Sequence, residues 1–281
     1  MRRRTRGAVA HTYLILLVLA YLVPIWLMIV TSLRAPAGGV FRDWQPFRWR
    51  ALVPYELDFG GYQTVLSNGS VFRAALVNTL IVCVITVVVG TVINLLAGFA
   101  FAYFDFPARG PLFVATLVTF MVPFEAIVIP LLSIMQRLDL VNTLAAVILP
   151  TLANGFVIFM FRQFYLGIPR DLREAAMIDG ASSLGILRRI YLPLSVPVII
   201  TSCIVLFISQ WQAFFLPLVV LRSRDNWVVQ LSLSSLQGTT QLPSWGPVLA
   251  GGVIILLIPI LLIAPFMRHF RLSLLEGSSR G

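Results

Sequence analysis

The chain has 281 residues, of which 59% are hydrophobic and 11% charged, and its mean hydropathy is +0.93. About half apolar and a quarter charged is usual for a soluble domain, so this composition excludes one and implies an integral membrane protein. The net charge of +10 comes from 21 basic residues, all arginine, scattered over short loops with no basic stripe interleaved with aromatics, which argues against a nucleic-acid partner.

Arg2, Arg3, Arg4 and Arg6 precede an apolar run over about residues 8–33, long enough to cross a hydrocarbon layer of roughly 30 Å. Ala35, Pro36 and Ala37 imitate a signal-peptidase site, but the run is too long for a signal peptide, so an uncleaved first helix with a cytoplasmic N-terminus is expected. Residues 34–70 turn polar and aromatic, with Trp44, Phe47, Trp49, Tyr55, Phe59 and Tyr62 suited to the outer interface. A second helix is predicted over about residues 72–103. It is longer than a perpendicular crossing needs, so tilt or projection beyond the bilayer is expected. Along it Thr86, Gly90, Asn94, Gly98 and Ala102 recur every four residues, which puts small and polar groups on one stripe. Close helix packing is the first reading of that stripe and a pore-lining face the second.

A short inner turn over residues 104–110 carries Asp105 and Arg109. A third helix follows over about 111–135, an outer turn over 137–142 and a fourth helix over about 143–164. After a long polar interval come a fifth helix over about 194–221, an outer loop over 222–246 and a sixth helix over about 247–267. On this assignment thirteen of the 21 arginines lie inside, in the sense of the positive-inside rule, with both termini cytoplasmic. Prolines at positions 123, 130, 150, 197, 217 and 259 interrupt the apolar spans and free carbonyls that other helices or a wet cavity must satisfy. The expected organisation is a first helix and outer segment over 1–71, a transmembrane domain over 72–270 and a cytoplasmic tail over 271–281.

The polar interval, about residues 165–193 and running on to Pro197, is the one such stretch between two apolar spans that also reads as ordered helix. Asp171 and Glu174 have capping-box spacing and predict a helix starting near Leu172. Gly180 can adopt the left-handed turn that ends it, and Ser182 or Ser183 can cap a second helix that stops before Pro193. Ala175 and Ala176 give the first helix a flat flank, and Arg170, Arg173, Arg188 and Arg189 surround it with positive charge, a surface built for docking. Without lysine the chain has no phosphate-binding loop of its own, so any energy from ATP must come from a partner.

Glu174, Ala175 and Ala176, then Asp179, Gly180 and Ala181, then Ile190, Tyr191, Leu192 and Pro193 together resemble the EAA signature of ABC-importer permeases, in the form of the carbohydrate branch. Trp211, Gln212, Phe214, Phe215, Leu216, Pro217 and Leu218 resemble that branch's WNxFLxPL motif, with Gln212 in place of asparagine. Trp245, Gly246 and Pro247 resemble the opening of its sixth helix, without the usual methionine. Gly277 to Gly281 resembles its GAxKG tail, with Arg280 for lysine. The likeness covers about residues 72–281. It implies an all-α membrane protein of six transmembrane helices with the type I ABC importer permease fold and cytoplasmic coupling helices in the EAA loop. It further implies a second homologous permease that pairs with this one as a heterodimer, two ATPase subunits that bind ATP and magnesium, and an extracytoplasmic solute-binding protein, all at a bacterial inner membrane. The chain itself would then be a non-catalytic subunit, moving a carbohydrate, or alternatively a solute such as a glycerophosphodiester. A free-standing secondary transporter is the rival of a different class, disfavoured by the lack of paired intramembrane charges and internal repeats.

Candidate solute contacts are fewer. Glu125 is the one acid well inside a span, where a charge costs roughly 2.5 to 3.5 kcal/mol, so it must face a cavity, pair, be protonated or reach a hydrated interface. Trp211, Gln212 and Phe215 combine an amide with aromatic faces, the chemistry that holds a sugar, although Trp211 could equally pack in the core. Asn154 and Gly155 are weaker candidates by their place ahead of the polar interval. Cys83 and Cys203 lie in apolar runs, and His11 and His269 lack companions at ligand spacing, so neither a metal site nor a catalytic centre is expected.

Overall fold

The computed structural model describes residues 2–34, 41, 43–44, 46–54, 57–237 and 245–266, with side chains from residue 11 onward. The expected tail over 271–281, the Ala35 to Ala37 stretch and Tyr55 lie outside the described residues, as do the side chains of the first four arginines. Among the described residues the chain is helical, with only two isolated backbone bridges, Arg34 to Leu57 and Trp44 to Phe47. Four helices are long and apolar enough to cross a membrane, and six crossings result if each of two sharply bent helix pairs counts as one.

The elements follow the predicted order. Helix α1 (Arg2–Ser32) precedes a short helix α2 (Gly60–Leu66), and α3 (Val71–Tyr103) is the long second crossing. At 1.5 Å per residue its 33 residues extend roughly 50 Å, well past a 30 Å hydrocarbon layer. The third crossing is where the structure corrects the expectation of one continuous helix. Helices α4 (Arg109–Met121) and α5 (Phe124–Arg137) meet at 103°. Pro123 is the cause: it lacks an N–H to continue the ladder, and the residue before a proline is pushed out of the helical region. Val122 accordingly sits at φ −73°, ψ 124°. Pro130 lies within α5 without breaking it.

The fourth crossing, Leu144–Leu166, is built from α6 (Leu144–Ile148), a tight turn at Leu149–Thr151 around Pro150, and α7 (Gly155–Leu166). The polar interval gives α8 (Arg170–Ile178), α9 (Ser183–Ile186) and α10 (Leu192–Leu194). The run Ser183–Leu194 and α11 (Val196–Trp211) form the second bent pair, which counts as the fifth crossing, and the short α12 (Phe215–Val220) follows it. Helix α13 (Val229–Gln237) lies in the predicted outer loop, and α14 (Trp245–Ile263) is the sixth crossing.

Two compact units emerge. The first comprises residues 1–73 and 232–258. In it the C-terminal half of α1 is held by the outer segment: Trp26 Nε1 donates to the Leu52 carbonyl at 2.9 Å, and Ser32 Oγ lies 2.7 Å from the Tyr62 hydroxyl. Arg34 and Asp43 form a buried ion pair at 3.5 Å. The N-terminal half of α1 leaves Tyr13 to Val23 exposed within this chain, as a helix bathed in lipid or covered by another subunit requires.

The second unit comprises residues 74–231 and 259–281 and carries the candidate functional elements. It has two apolar clusters. One joins the C-terminal half of α3 to α7, the α9 region and α11 through Phe99, Phe161, Tyr165, Ile186, Tyr191 and Leu206. The other joins Val82 of α3 to α5, α6 and α12 through Met135, Val147, Leu216 and Val220. The four-residue stripe on α3 serves packing. A methyl group added to Gly98 would come within 2.5 Å of Phe161 Cβ, and one added to Gly90 within 3.2 Å of the Leu152 carbonyl. Small residues are what let these helix backbones approach.

Candidate functional site

Helix α8 begins at Arg170, two residues before the predicted start, with Pro169 (φ −54°, ψ 132°) at the capping position. No side chain caps it, so the expected capping box does not form. The rigid proline turns the chain directly into the helix, and Asp171 falls inside the first turn, where its carboxylate still complements the positive end of the helix dipole. The other end is as expected. Gly180 adopts φ +76°, its N–H donates to the Met177 carbonyl at 3.0 Å, and the Ala181 N–H reaches back to the Ala176 carbonyl at 2.9 Å. These two bonds form a Schellman termination, which satisfies the last carbonyls and depends on a residue free to turn left-handed.

Ser182 caps the next helix, accepting from the Gly185 N–H at 3.2 Å. That helix does not stop before Pro193. It widens into a π turn over Leu187–Tyr191 and continues through α10 to Ser195, where the chain bends by 79° into α11. Pro193 follows directly on the π turn, a local widening of the kind that lets a helix carry a residue unable to donate. Ser195 secures the bend by donating from its hydroxyl to the Tyr191 carbonyl at 2.5 Å.

The two alanines of the signature divide their roles. Ala175 is exposed, whereas Ala176 is half-buried and packs on the cluster that includes Phe99, Ile186 and Tyr191. The outward side of the loop is apolar: Leu172 is 47% exposed, Met177 43%, Ile178 86% and Leu184 59%. Apolar side chains presented so openly on a short polar segment mark a contact surface.

What fixes this loop to the crossings is a group of aromatic rings that sequence reasoning missed. Phe99 stacks on Tyr103 at 4.7 Å and meets the edges of Tyr165 and Tyr191 at 6.0 and 5.1 Å, while Tyr165 and Tyr191 are 5.3 Å apart. The guanidinium of Arg173 in α8 lies 4.3 Å from the centre of the Tyr103 ring. Helix α8 is thereby tied to the end of α3 by a cation–π contact, and the α9 region by Tyr191. A recurrence of rings at four-residue spacing, Phe99 and Tyr103, then Phe161 and Tyr165, was the available signal.

A second arrangement stabilises the broken fourth crossing. Asn94, fully buried on α3, donates from Nδ2 to the Gly90 carbonyl at 2.7 Å and the Leu152 carbonyl at 2.9 Å, and its Oδ1 accepts from the Asn154 N–H at 2.8 Å. The Leu152 carbonyl and the Asn154 N–H are groups that the break around Pro150 would otherwise leave unsatisfied inside the bilayer. Asn154 caps α7, its Oδ1 accepting from the Val157 N–H at 3.1 Å. A methyl group on Gly155 would come within 2.5 Å of the Thr116 carbonyl, so this glycine lets α4 and α7 touch. Both residues proposed from sequence as solute contacts are engaged in holding the helix break.

The remaining candidates fall at helix breaks as well. Glu125 is exposed in the first turn of α5, immediately after the Pro123 bend. Trp211 is buried, stacked on Phe207 at 5.5 Å, and its carbonyl accepts from Gln230 Nε2 at 3.2 Å, so it takes the core-packing alternative. Gln212 and Phe215 are exposed on either side of the gap between α11 and α12. The structure thus brings Trp211, Gln212 and Phe215 together at one break. No hydrogen bond joins them to Glu125 or Asn154 among the described residues. Gln210, passed over in the motif reading, is the buried amide here, and its Nε2 finds no hydrogen-bond partner among the described residues.

Residues 90–271 match the family model described as the binding-protein-dependent transport system inner membrane component. The chain belongs to this family. As a member it is a non-catalytic, multi-pass permease subunit of an ABC importer, and the family works together with other components of such importers. This decides against a free-standing secondary transporter. The permease is 30% identical over 269 residues to the arabinooligosaccharides transport system permease protein AraQ of Bacillus subtilis, covering 96% of this chain and 94% of that one. It is 33% identical over 228 residues to AraQ of Halalkalibacterium halodurans, with 81% of each chain covered. It is also 30% identical over 282 residues to the sn-glycerol-3-phosphate transport system permease protein UgpE of Rhizobium meliloti, with 98% of each covered. The fold is shared with a chain of a bacterial ABC transporter involved in the import of the acidic polysaccharide alginate. That match has a TM-score of 0.81 at 23% identity, over 95% of this permease and 96% of that chain.

Proposed function

We propose that this permease forms half of the translocation path for a carbohydrate and that residues 165–193 are the part gripped by an ATPase subunit. The observation that carries the second half of the proposal is the outward apolar face of α8 and α9, in which Ile178 is 86% exposed although it sits beside the Schellman turn that fixes the loop. Such a face is stable in water only when another protein covers it. In this arrangement Glu174, Ala175, Asp179, Gly180 and Ala181 shape the docking helix and its turn. Ala176, Ile190 and Leu192 pack back on the aromatic cluster, as Ala181 also does, while Pro193 is exposed. Two ATPase subunits that bind ATP and magnesium close beneath this permease and a second, different one, while a solute-binding protein delivers ligand at the other side. Closure moves α8, and the contacts of Arg173 and Tyr191 carry that motion into α3 and α11 as a rigid-body shift. This orientation places both termini in the cytoplasm of a bacterial cell.

The break between α11 and α12, with Gln212 and Phe215 exposed and Gln210 Nε2 without a hydrogen-bond partner among the described residues, together with Glu125 at the Pro123 bend, supplies the polar and aromatic groups of the path. The carbohydrate reading is supported by the AraQ relatives, and a second reading, a glycerol phosphate, by UgpE. Two experiments test the proposal. Affinity-tagged ATPase subunit should co-purify this permease from solubilised membranes, and Ile178→Asp, which puts a charge into the covered face, should cut the yield about tenfold. Unchanged co-purification refutes the docking role. Uptake of labelled arabinooligosaccharide by cells expressing the whole transporter should be ATP-dependent, whereas accumulation of glycerol 3-phosphate without sugar overturns the carbohydrate reading.

A further inference from the structure

The end of the second unit that carries α8 also holds a cation for which the transport reading has no use. Arg162 lies four residues before the end of the Leu144–Leu166 crossing, so its guanidinium sits near the edge of the hydrocarbon. It lies 4.1 Å from the centre of the Phe113 ring, and its Nε is buried without a hydrogen-bond partner among the described residues. No carboxylate pairs with it among those residues. Instead it is exposed to the like charge of Arg109. Arg109 is pinned in place, its Nε donating to the Phe101 carbonyl at 2.8 Å and one terminal nitrogen contacting Asp105 at 2.5 Å. The Phe101 ring in turn lies 5.5 Å from Phe113, so the residue whose carbonyl holds Arg109 packs against the ring beneath Arg162. Among the described residues only Arg109 has a carboxylate beside it, and that one, Asp105, is 92% exposed.

A half-buried guanidinium that lacks an acceptor is costly at the edge of a membrane, and a second one beside it raises the cost. The anion that exists at this depth is the headgroup phosphate of the lipid itself, and a guanidinium fork matches a phosphate with two parallel donors. Basic pockets between crossings on the cytoplasmic side take anionic lipids by the same chemistry. We propose that Arg162, with Arg109 beside it, holds the phosphate of an anionic membrane lipid whose apolar portion lies along Phe101 and Phe113. This site goes beyond the transport reading and rests only on the chain crossing a membrane.

The test uses the intact transporter complex, purified in mild detergent and titrated in native mass spectrometry with phosphatidylglycerol, phosphatidylcholine or inorganic phosphate. Wild-type complex should retain phosphatidylglycerol in preference to phosphatidylcholine, and Arg162→Gln should weaken that retention about tenfold, the effect of one lost charge-assisted hydrogen bond. Arg162→Lys keeps the charge but not the fork and should fall between them, which also guards against a variant that merely fails to fold. Equal retention by wild type and Arg162→Gln, or no preference between the two lipids, overturns the proposal. Displacement of the lipid by millimolar inorganic phosphate overturns the lipid as the source of the anion. Failure of the sugar-uptake assay leaves this outcome untouched, and the reverse also holds.

Discussion

The two ends of α3 are held in different ways. At the end that carries α8, attachment is by rings: Phe99, Tyr103, Tyr165 and Tyr191 face one another at 4.7 to 6.2 Å, and Arg173 rests on Tyr103. At the opposite end attachment is by hydrogen bonds. Asn78 donates from Nδ2 to the carbonyls of Asp225 and Trp227 at 2.7 and 3.0 Å, and the Thr79 hydroxyl accepts from the Val229 N–H at 2.8 Å. Nearby, Asn142 at φ +64° accepts on Oδ1 from the amides of Arg222 and Ser223 at 3.0 and 2.8 Å, and Asn226 Nδ2 donates to its carbonyl at 2.6 Å. Hydrogen bonds are directional and weaken steeply once misaligned, whereas ring and cation–π contacts tolerate small rotations. The contrast teaches that the α8 end is suited to pass on a rotation and the other to resist one.

Breaking the hydrogen-bonded end should have the largest effect on stability. Asn142→Ala removes both accepting bonds and strains a left-handed backbone, and it should destabilise the transporter by about 2 to 3 kcal/mol. Thermal unfolding in detergent measures the loss, and Asn142→Gly, which keeps the backbone geometry, should recover part of it. Transport per ATP hydrolysed should stay normal in the molecules that remain folded. If the ratio drops as well, the two ends do not have separate tasks.

At the α8 end the sign of the comparison reverses. Gly180→Val forces a β-branched residue to φ +76° and should cost about 1 to 2 kcal/mol locally, undoing the Schellman turn with little loss of global stability. Uptake should fall at least tenfold while ATP hydrolysis by the reconstituted complex continues. Normal uptake in this variant argues against the docking role of the loop. The mildest change, Arg173→Gln, removes one cation–π contact worth about 0.5 to 1 kcal/mol. It should leave the melting temperature nearly unchanged and lower the ratio of solute moved to ATP consumed two- to fourfold. An unchanged ratio means that Arg173 only packs.

Much of the fold is legible in the chain because membranes impose a simple code: long apolar runs must be helices, and their ends must be polar. The second crossing is expected over about 72–103 and lies at Val71–Tyr103, the left-handed turn falls at Gly180 as expected, and of the two candidate caps, Ser182 and Ser183, the structure takes Ser182. The errors came where two local rules competed. Asp171 and Glu174 have the spacing of a capping box, yet Pro169 starts the helix first. Pro123 and Pro193 look alike in sequence, but one produces a 103° bend and the other follows a π turn inside a helix that continues past it. The outcome depends on whether neighbours can satisfy the freed carbonyls, and those neighbours are distant in sequence.

By itself the sequence determined that the protein crosses a membrane, where most crossings lie, that energy from ATP must come from outside the chain, and which loop carries the family signature. These follow from composition, periodicity and residue identity, each of which acts locally. Only the tertiary structure decided that Asn94 and Asn154 are committed to a helix break, that Trp211 is core while Gln212 and Phe215 are exposed, that Ala175 is exposed while Ala176 packs on the aromatic cluster, and that Arg162 Nε has no hydrogen-bond partner among the described residues. Whether a polar side chain is free to meet a ligand depends on which backbone groups lie opposite it. That is settled by helix packing and not by the residue's own type.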